Sequence, residues 1–109
     1  MSGPIADTPE PPYYAVIFSS LQTEDLAGYA AMATAMSRLA SEQPGYLGEE
    51  SARSDLGITV AYFRDLESIK AWKNKAEHLA AQKLGRERWY AAYRVRICKV
   101  EREYGFTAS

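Results

Sequence analysis

Metal- and redox-binding residues are scarce in this chain. Its 109 residues include one cysteine, Cys98, and one histidine, His78. A lone cysteine forbids an internal disulfide. One histidine and one cysteine twenty residues apart do not make a specific zinc or iron site without several added carboxylates. There is no glycine-rich phosphate loop, dinucleotide fingerprint or hydrolase elbow. Charge of one sign is missing too. The net charge is -1, which gives no electrostatic reason to expect nucleic acid or an anionic membrane as partner. No apolar run approaches the ~18 residues needed to span a bilayer. The N-terminus, MSGPIADTPEPPYY, lacks a basic region followed by an apolar stretch, so no secretory signal is expected and a soluble cytoplasmic protein is the default.

What remains is an ordinary globular composition, 47% hydrophobic and 25% charged. A single domain of this size buries roughly two thirds of its unfolded surface. Residues 1–11 form a proline-broken polar arm that is expected to be mobile. Residues 12–106 form the domain. Tyr13–Ser20 is aromatic and β-branched and reads as a buried strand. Thr23 is a capping residue, and Leu26, Tyr29, Ala33, Met36 and Ala40 follow at helical spacing. Gln43-Pro44-Gly45 stops that helix. Tyr46–Arg53 is a polar strand, half exposed or facing a wet cavity. Gly57–Arg64 is a third strand, with Ile58, Val60, Tyr62 and Arg64 on one face and Thr59, Ala61 and Phe63 on the other. Asp65 caps a second helix marked by Leu66, Ile69, Trp72, Ala76 and Leu79. Gly85 ends or bends it. Tyr93–Tyr104 alternates as a last strand, and its pattern slips after Ile97, as a bulge would make it.

The order β-α-β-β-α-β predicts an α+β, ferredoxin-like fold: one antiparallel four-stranded sheet with both helices on one face. The other face then needs a cover. A homodimer whose two sheets meet face to face, a dimeric α/β barrel, supplies one.

Candidate chemistry concentrates in Leu66–Tyr90, which holds both tryptophans and His78. Trp72 is either a core anchor or a pocket wall. His78 lies six positions on, about 240° round an ideal helix, so it shares a pocket with Trp72 only if the helix breaks near Asn74–Ala76. On that reading the stretch is two pieces, and His78, with an ordinary pKa near neutrality, is the general-base candidate. Tyr62 and Arg64 face together and could line a cavity between sheet and helices. Trp89-Tyr90 clamps the last strand to the second helix or to a partner. Arg94 and Arg96 share a sheet face, where they are solvated, pair with Glu49 or Glu50, or bind an anion. Arg86-Glu87-Arg88 reads as a solvated helix end. Cys98 reads as a small buried apolar residue.

The run YFRDLESIKAWKNKAEHLAAQKLGRERWYAAYRVRICKVEREYGF resembles the C-terminal half of antibiotic biosynthesis monooxygenase domains. More narrowly, AW-K-x-x-x-EH-x-x-AQ and GR-x-x-WY resemble an uncharacterised bacterial subgroup. Gln43-Pro44-Gly45-Tyr46 is similar to the turn usual in that superfamily. The resemblance spans about residues 12–104. It implies the dimeric α/β barrel. It also implies oxidation of a small aromatic or polyketide-like compound by O₂ without metal, flavin or haem, the substrate carbanion supplying the electrons. In that frame His78 is base or hydrogen-bond donor. Trp72, Tyr62 and Trp89 wall the site, and Arg64 or Arg96 stabilises an enolate or phenolate. Other members bind or degrade haem, or have no known chemistry. The haem-degrading pattern has Trp and His about ten apart and an Asn on the first strand. Here Trp72 and His78 are six apart and Tyr13–Ser20 holds no Asn, which disfavours haem. A haem or small-ligand binder and a non-catalytic accessory dimer are the alternative functions.

Overall fold

The computed structural model describes residues 4–83 and 89–108, without the side chains of residues 78–83. Gly85 and Arg86-Glu87-Arg88 therefore lie outside the described residues. The elements are β1 (Tyr13–Gln22), α1 (Tyr29–Ser41), β2 (Tyr46–Arg53), β3 (Gly57–Phe63), α2 (Leu66–Lys83) and β4 (Tyr90–Val100). They form one sheet in the order β2-β3-β1-β4, with every neighbouring pair antiparallel. This is the ferredoxin-like arrangement that the element order implies.

The central strand β1 is apolar on both faces, as a strand covered on two sides must be. Val16 sits opposite Ala61 and Ile97, and Phe18 opposite Thr59 and Val95. That row faces the helices. Val16, Ala40, Ala61, Phe63 and Ile69 form the buried core, with Tyr14, Tyr46 and Trp72 packed against it. Phe63 is completely buried, a contribution of about 1.5–3 kcal/mol from its side chain alone.

Helix α2 begins as its sequence suggests. The Asp65 Oδ1 accepts the Ser68 N–H at 2.8 Å, satisfying one of the free donors of the first turn. The helix runs without a break from Leu66 to Lys83. The two-piece reading of this stretch is therefore corrected: an i→i−4 ladder with neither Pro nor Gly between Leu66 and Lys83 has no cause to kink. Helix α1 begins at Tyr29 rather than Thr23. The Thr23 N–H is still tied to the chain entering β4, donating to the Trp89 carbonyl at 2.8 Å. The turn into α1 is made at Gly28, whose φ of 82° lies in the left-handed region open to glycine.

Strand β4 keeps its register from Ala92 to Val100, and the irregularity falls at its start, opposite Leu21 and Gln22, rather than after Ile97. It ends at Val100 because its partner there, Tyr13, is the first residue of β1. Beyond that point no neighbour remains to pair with.

Among the described residues the second sheet face carries no helix, and the proline-rich arm expected to be mobile lies across part of it. The Ala6 N–H donates to Glu50 Oε2 at 3.0 Å. A β-carbon on Gly48 would come within 3.1 Å of the Ala6 β-carbon, so the arm crosses β2 closely. Thr8 Oγ1 donates to Glu103 Oε1 at 2.6 Å, and the Tyr13 hydroxyl bonds to both groups. Tyr13 and Ala15 are thereby buried on a face without helices. Cys98 is exposed rather than buried, because alternation puts it on this same face of the edge strand β4, away from the helices.

Candidate functional site

A cavity of about 790 Å³ lies between the helix-facing side of the sheet and the two helices. Ligand pockets fall in the range of about 300–1,000 Å³ and are mainly apolar with a few placed polar groups. Val16, Phe18 and Ala61 make the floor. Helix α1 offers Met32, Ala33 and Met36, small or deformable side chains that leave room above the sheet. Helix α2 offers Ile69, Trp72 and Ala76.

One end is aromatic. Phe18 meets Tyr90 edge-on with ring centroids 5.4 Å apart, and Tyr29 meets Tyr90 at 5.9 Å and Trp89 at 6.0 Å. The Trp89 Nε1–H donates to the Ala27 carbonyl at 2.8 Å, which fixes the indole as a wall. Burial, then a hydrogen bond to Tyr29, raises the Tyr90 hydroxyl above the ordinary phenol range. It is therefore a protonated donor at neutral pH.

At the other end Trp72 lies against Phe63, ring centroids 5.8 Å apart. The Trp72 Nε1–H is buried and has no acceptor among the described residues. Buried donors are nearly always bonded, so this orphan is an unusual feature of the cavity wall.

Strand β2 supplies one set of polar groups, beside Lys73 and Glu77 of α2 and Arg94 of β4. Glu49, Ser51 and Arg53 alternate onto the helix-facing side and line the cavity. The Glu49 carboxylate accepts from Ser37 Oγ at 3.2 Å and from the Tyr46 hydroxyl at 3.3 Å. Burial first, and the Glu49 charge second, raise the Tyr46 pKa, so that hydroxyl also stays protonated. Ser51 and Thr59 share a hydrogen bond of 3.0 Å across the strands. Arg53 bonds to the Ser20 carbonyl and hydroxyl.

Of the residues nominated from the sequence, Trp72 and Trp89 line this cavity and three others do not. Tyr62 is corrected to the helix-free face. Phe63 and Ala61 occupy the buried phase of β3, so the residue between them must point the other way. There Tyr62 donates to Glu50 Oε1 at 2.7 Å and packs edge-on against Tyr13. Arg64 is exposed just past β3, where its N–H donates to the Gly45 carbonyl at 2.7 Å. Arg96 pairs in register with Ile17 and is exposed on the helix-free face. The side chain of His78 lies outside the described residues. The unbroken helix removes the break that a shared Trp72–His78 pocket required.

Sequence reasoning passed over Glu49 and Arg53, with Tyr29 and Tyr90. Its one clue was the polarity of Tyr46–Arg53, a strand too hydrophilic for a core and in phase with the buried row of β3.

Comparison with known proteins places this geometry. Residues 12–84 match the Antibiotic biosynthesis monooxygenase family. The uncharacterised protein YqjZ of Bacillus subtilis is 48% identical over 101 residues, covering 91% of this chain and 89% of that protein. Among solved structures, the fold is similar to SO0527 of Shewanella oneidensis, with a TM-score of 0.69 at 12% identity, covering 84% of this chain and 94% of that one. It is also similar to SnoaB of Streptomyces nogalater, a cofactor-independent oxygenase, with a TM-score of 0.65 at 9% identity, covering 90% of this chain and all (100%) of that one. At such identities the structural likeness speaks for the fold, while the family match and the 48% relative carry the assignment: the chain belongs to the antibiotic biosynthesis monooxygenase family.

Proposed function

We propose that the protein is a cofactor-independent, monooxygenase-like enzyme that binds a small aromatic or polyketide-like compound in the cavity between sheet and helices. The observation that carries this reading is the cavity itself, about 790 Å³, apolar in its floor and walled by aromatic rings at both ends. Flat conjugated ligands pack well against such rings. Family membership and the likeness to a cofactor-independent oxygenase support it.

In this reading the substrate carries the redox chemistry. Loss of a ring or methylene proton leaves a delocalised carbanion, which reduces O₂. One oxygen atom stays on the carbon as a carbonyl, and the other leaves as water with the two hydrogens removed. The protein then has to bind the compound, exclude bulk water, take the proton and stabilise negative charge on oxygen. Glu49 is the carboxylate on the strand side of the wall, while Glu77 is paired with Lys73 on the exposed face of α2 at 3.8 Å. Glu49 and His78 are the two proton acceptors to test.

We propose also that the chain works as a homodimer. The tail beyond edge strand β4 leaves Tyr104 and Phe106 in solvent. Such apolar surface calls for a second copy. Light scattering should give twice the 12.2 kDa chain mass.

The decisive test is oxygen uptake with anthrone and dithranol, followed with an oxygen electrode and by quinone absorbance. One O₂ consumed per quinone formed, well above the protein-free rate and unchanged by EDTA, is the expected result. Binding without uptake would make the protein a ligand carrier. No binding at all would leave an accessory dimer.

A further inference from the structure

Arg53 is held in an unusual seat. It lies at the end of β2 directly across from Gly57. A β-carbon at Gly57 would collide with the Arg53 guanidinium carbon, Nη2 and Nε. The guanidinium therefore lies flat over the bare α-carbon of Gly57, in a notch that any side chain would fill. Nothing in the backbone of Gly57 requires glycine, since its φ is not in the left-handed region. The notch is the reason for the residue.

Two bonds fix the seated group. Nη1 donates to the Ser20 carbonyl at 3.4 Å, and Nη2 donates to the Ser20 hydroxyl. Ser20 is 2% exposed, so one of the most deeply buried polar side chains is spent on orienting this cation. A guanidinium has five N–H donors, and these two bonds leave the rest free. Among the described residues no carboxylate pairs with Arg53. The nearby Tyr90 hydroxyl does not neutralise it either, because burial and Tyr29 keep that phenol protonated. A fixed positive charge thus borders an apolar cavity with no counter-ion among the described residues.

We propose that Arg53, seated over Gly57 and tied to Ser20, is the recognition point for an ionised oxygen on a fused-ring aromatic ligand: a phenolate, enolate or ring carboxylate. The proposal rests on the cavity being the ligand site. It assigns the anion-binding role to Arg53 in place of Arg64 and Arg96, which stand outside the cavity. The rings lie along Phe18 and Tyr90, and the charged oxygen meets the guanidinium where β2 closes the cavity.

The test compares two probes of one shape, 1-hydroxy-2-naphthoate and its neutral amide, 1-hydroxy-2-naphthamide, by calorimetry on the full chain. A charge-assisted hydrogen bond favours the carboxylate by roughly tenfold or more. That preference should shrink as KCl is raised. Arg53→Gln should bring the ratio of affinities to about one while the amide still binds. Gly57→Ala keeps every charge but unseats the guanidinium, and should reduce the ratio in the same direction. A near-UV circular dichroism spectrum matching the wild type reports that each variant is folded. A wild-type ratio near one, or a preference that survives either substitution, overturns the assignment of Arg53 and leaves the cavity reading intact. Failure of both probes to bind the wild-type protein overturns the cavity reading and this inference with it.

Discussion

Replacing Trp72 by phenylalanine should cost this protein almost nothing in stability, although Trp72 packs on its core. Two terms oppose each other. The smaller ring gives up roughly 50 Å² of buried apolar surface, given that aromatic side chains bury 150–250 Å² each. At about 25 cal/mol per Å² that is a loss of about 1.3 kcal/mol. The substitution also removes the indole N–H, which is buried without an acceptor among the described residues. Leaving a buried donor unmade costs about 1–3 kcal/mol, and phenylalanine escapes that cost. The sum runs from about 0.3 kcal/mol lost to about 1.7 kcal/mol gained. Trp72→Ala removes the same orphan but opens a cavity beside Phe63 and Ile69, and should cost about 3–5 kcal/mol. Thermal unfolding followed by circular dichroism separates the cases, since a 1 kcal/mol change moves the melting temperature of a domain this size by about 4–8 °C. A loss above about 3 kcal/mol for Trp72→Phe would refute the reasoning. It would mean that the indole N–H has an acceptor in solution.

Three further outcomes follow from the structure. Glu49→Gln should leave ligand affinity nearly unchanged while lowering turnover by roughly 10²–10⁴, if this carboxylate takes the proton; an unaltered rate for Glu49→Gln with a dead His78→Asn would move that role to His78. Gly28→Ala should destabilise by about 1–2 kcal/mol in chemical denaturation. Its β-carbon would sit at an ordinary 3.6 Å from Trp89, so the whole cost is the left-handed backbone, and a stabilised variant would contradict that. Hydrogen bonds from Thr8 and then Tyr13 hold the Glu103 carboxyl below its usual range. A lowered folded pKa contributes stability above the unfolded value near 4.3 that is lost as pH falls through the folded value. The carboxyl resonance of Glu103 should therefore titrate below the model-peptide midpoint, and Thr8→Val should bring it back up; an unmoved midpoint would show that Thr8 does not bond it.

The order and faces of the elements were legible because they rest on local rules. Period-two alternation put Ala61 and Phe63 on one face and Tyr62 on the other. Asp65 announced the start of α2, and Gln43-Pro44-Gly45 the end of α1. The family could be read from the run around Trp72 and Trp89. Which sheet face the helices cover is not a local property. Tyr62 and Arg64 share a phase that could have lined a cavity, and only the packing of Ile69 and Trp72 on Phe63 turned that phase outward. The start of α1 was misplaced because the Thr23 N–H bonds to Trp89, a residue 66 positions away, and no window of sequence contains both.

The sequence marked Tyr46–Arg53 as a strand too polar for a core, half exposed or facing a wet cavity, without singling out Glu49, Ser51 and Arg53, which fall on one face of it. The tertiary structure decided that this face borders a cavity, that Gly57 opens a seat for Arg53, and that Ser20 holds it there. The reason is physical. Periodicity fixes the phase of a side chain within its own element, whereas its neighbours across the sheet are set by register, and register is settled only when the whole layer packs.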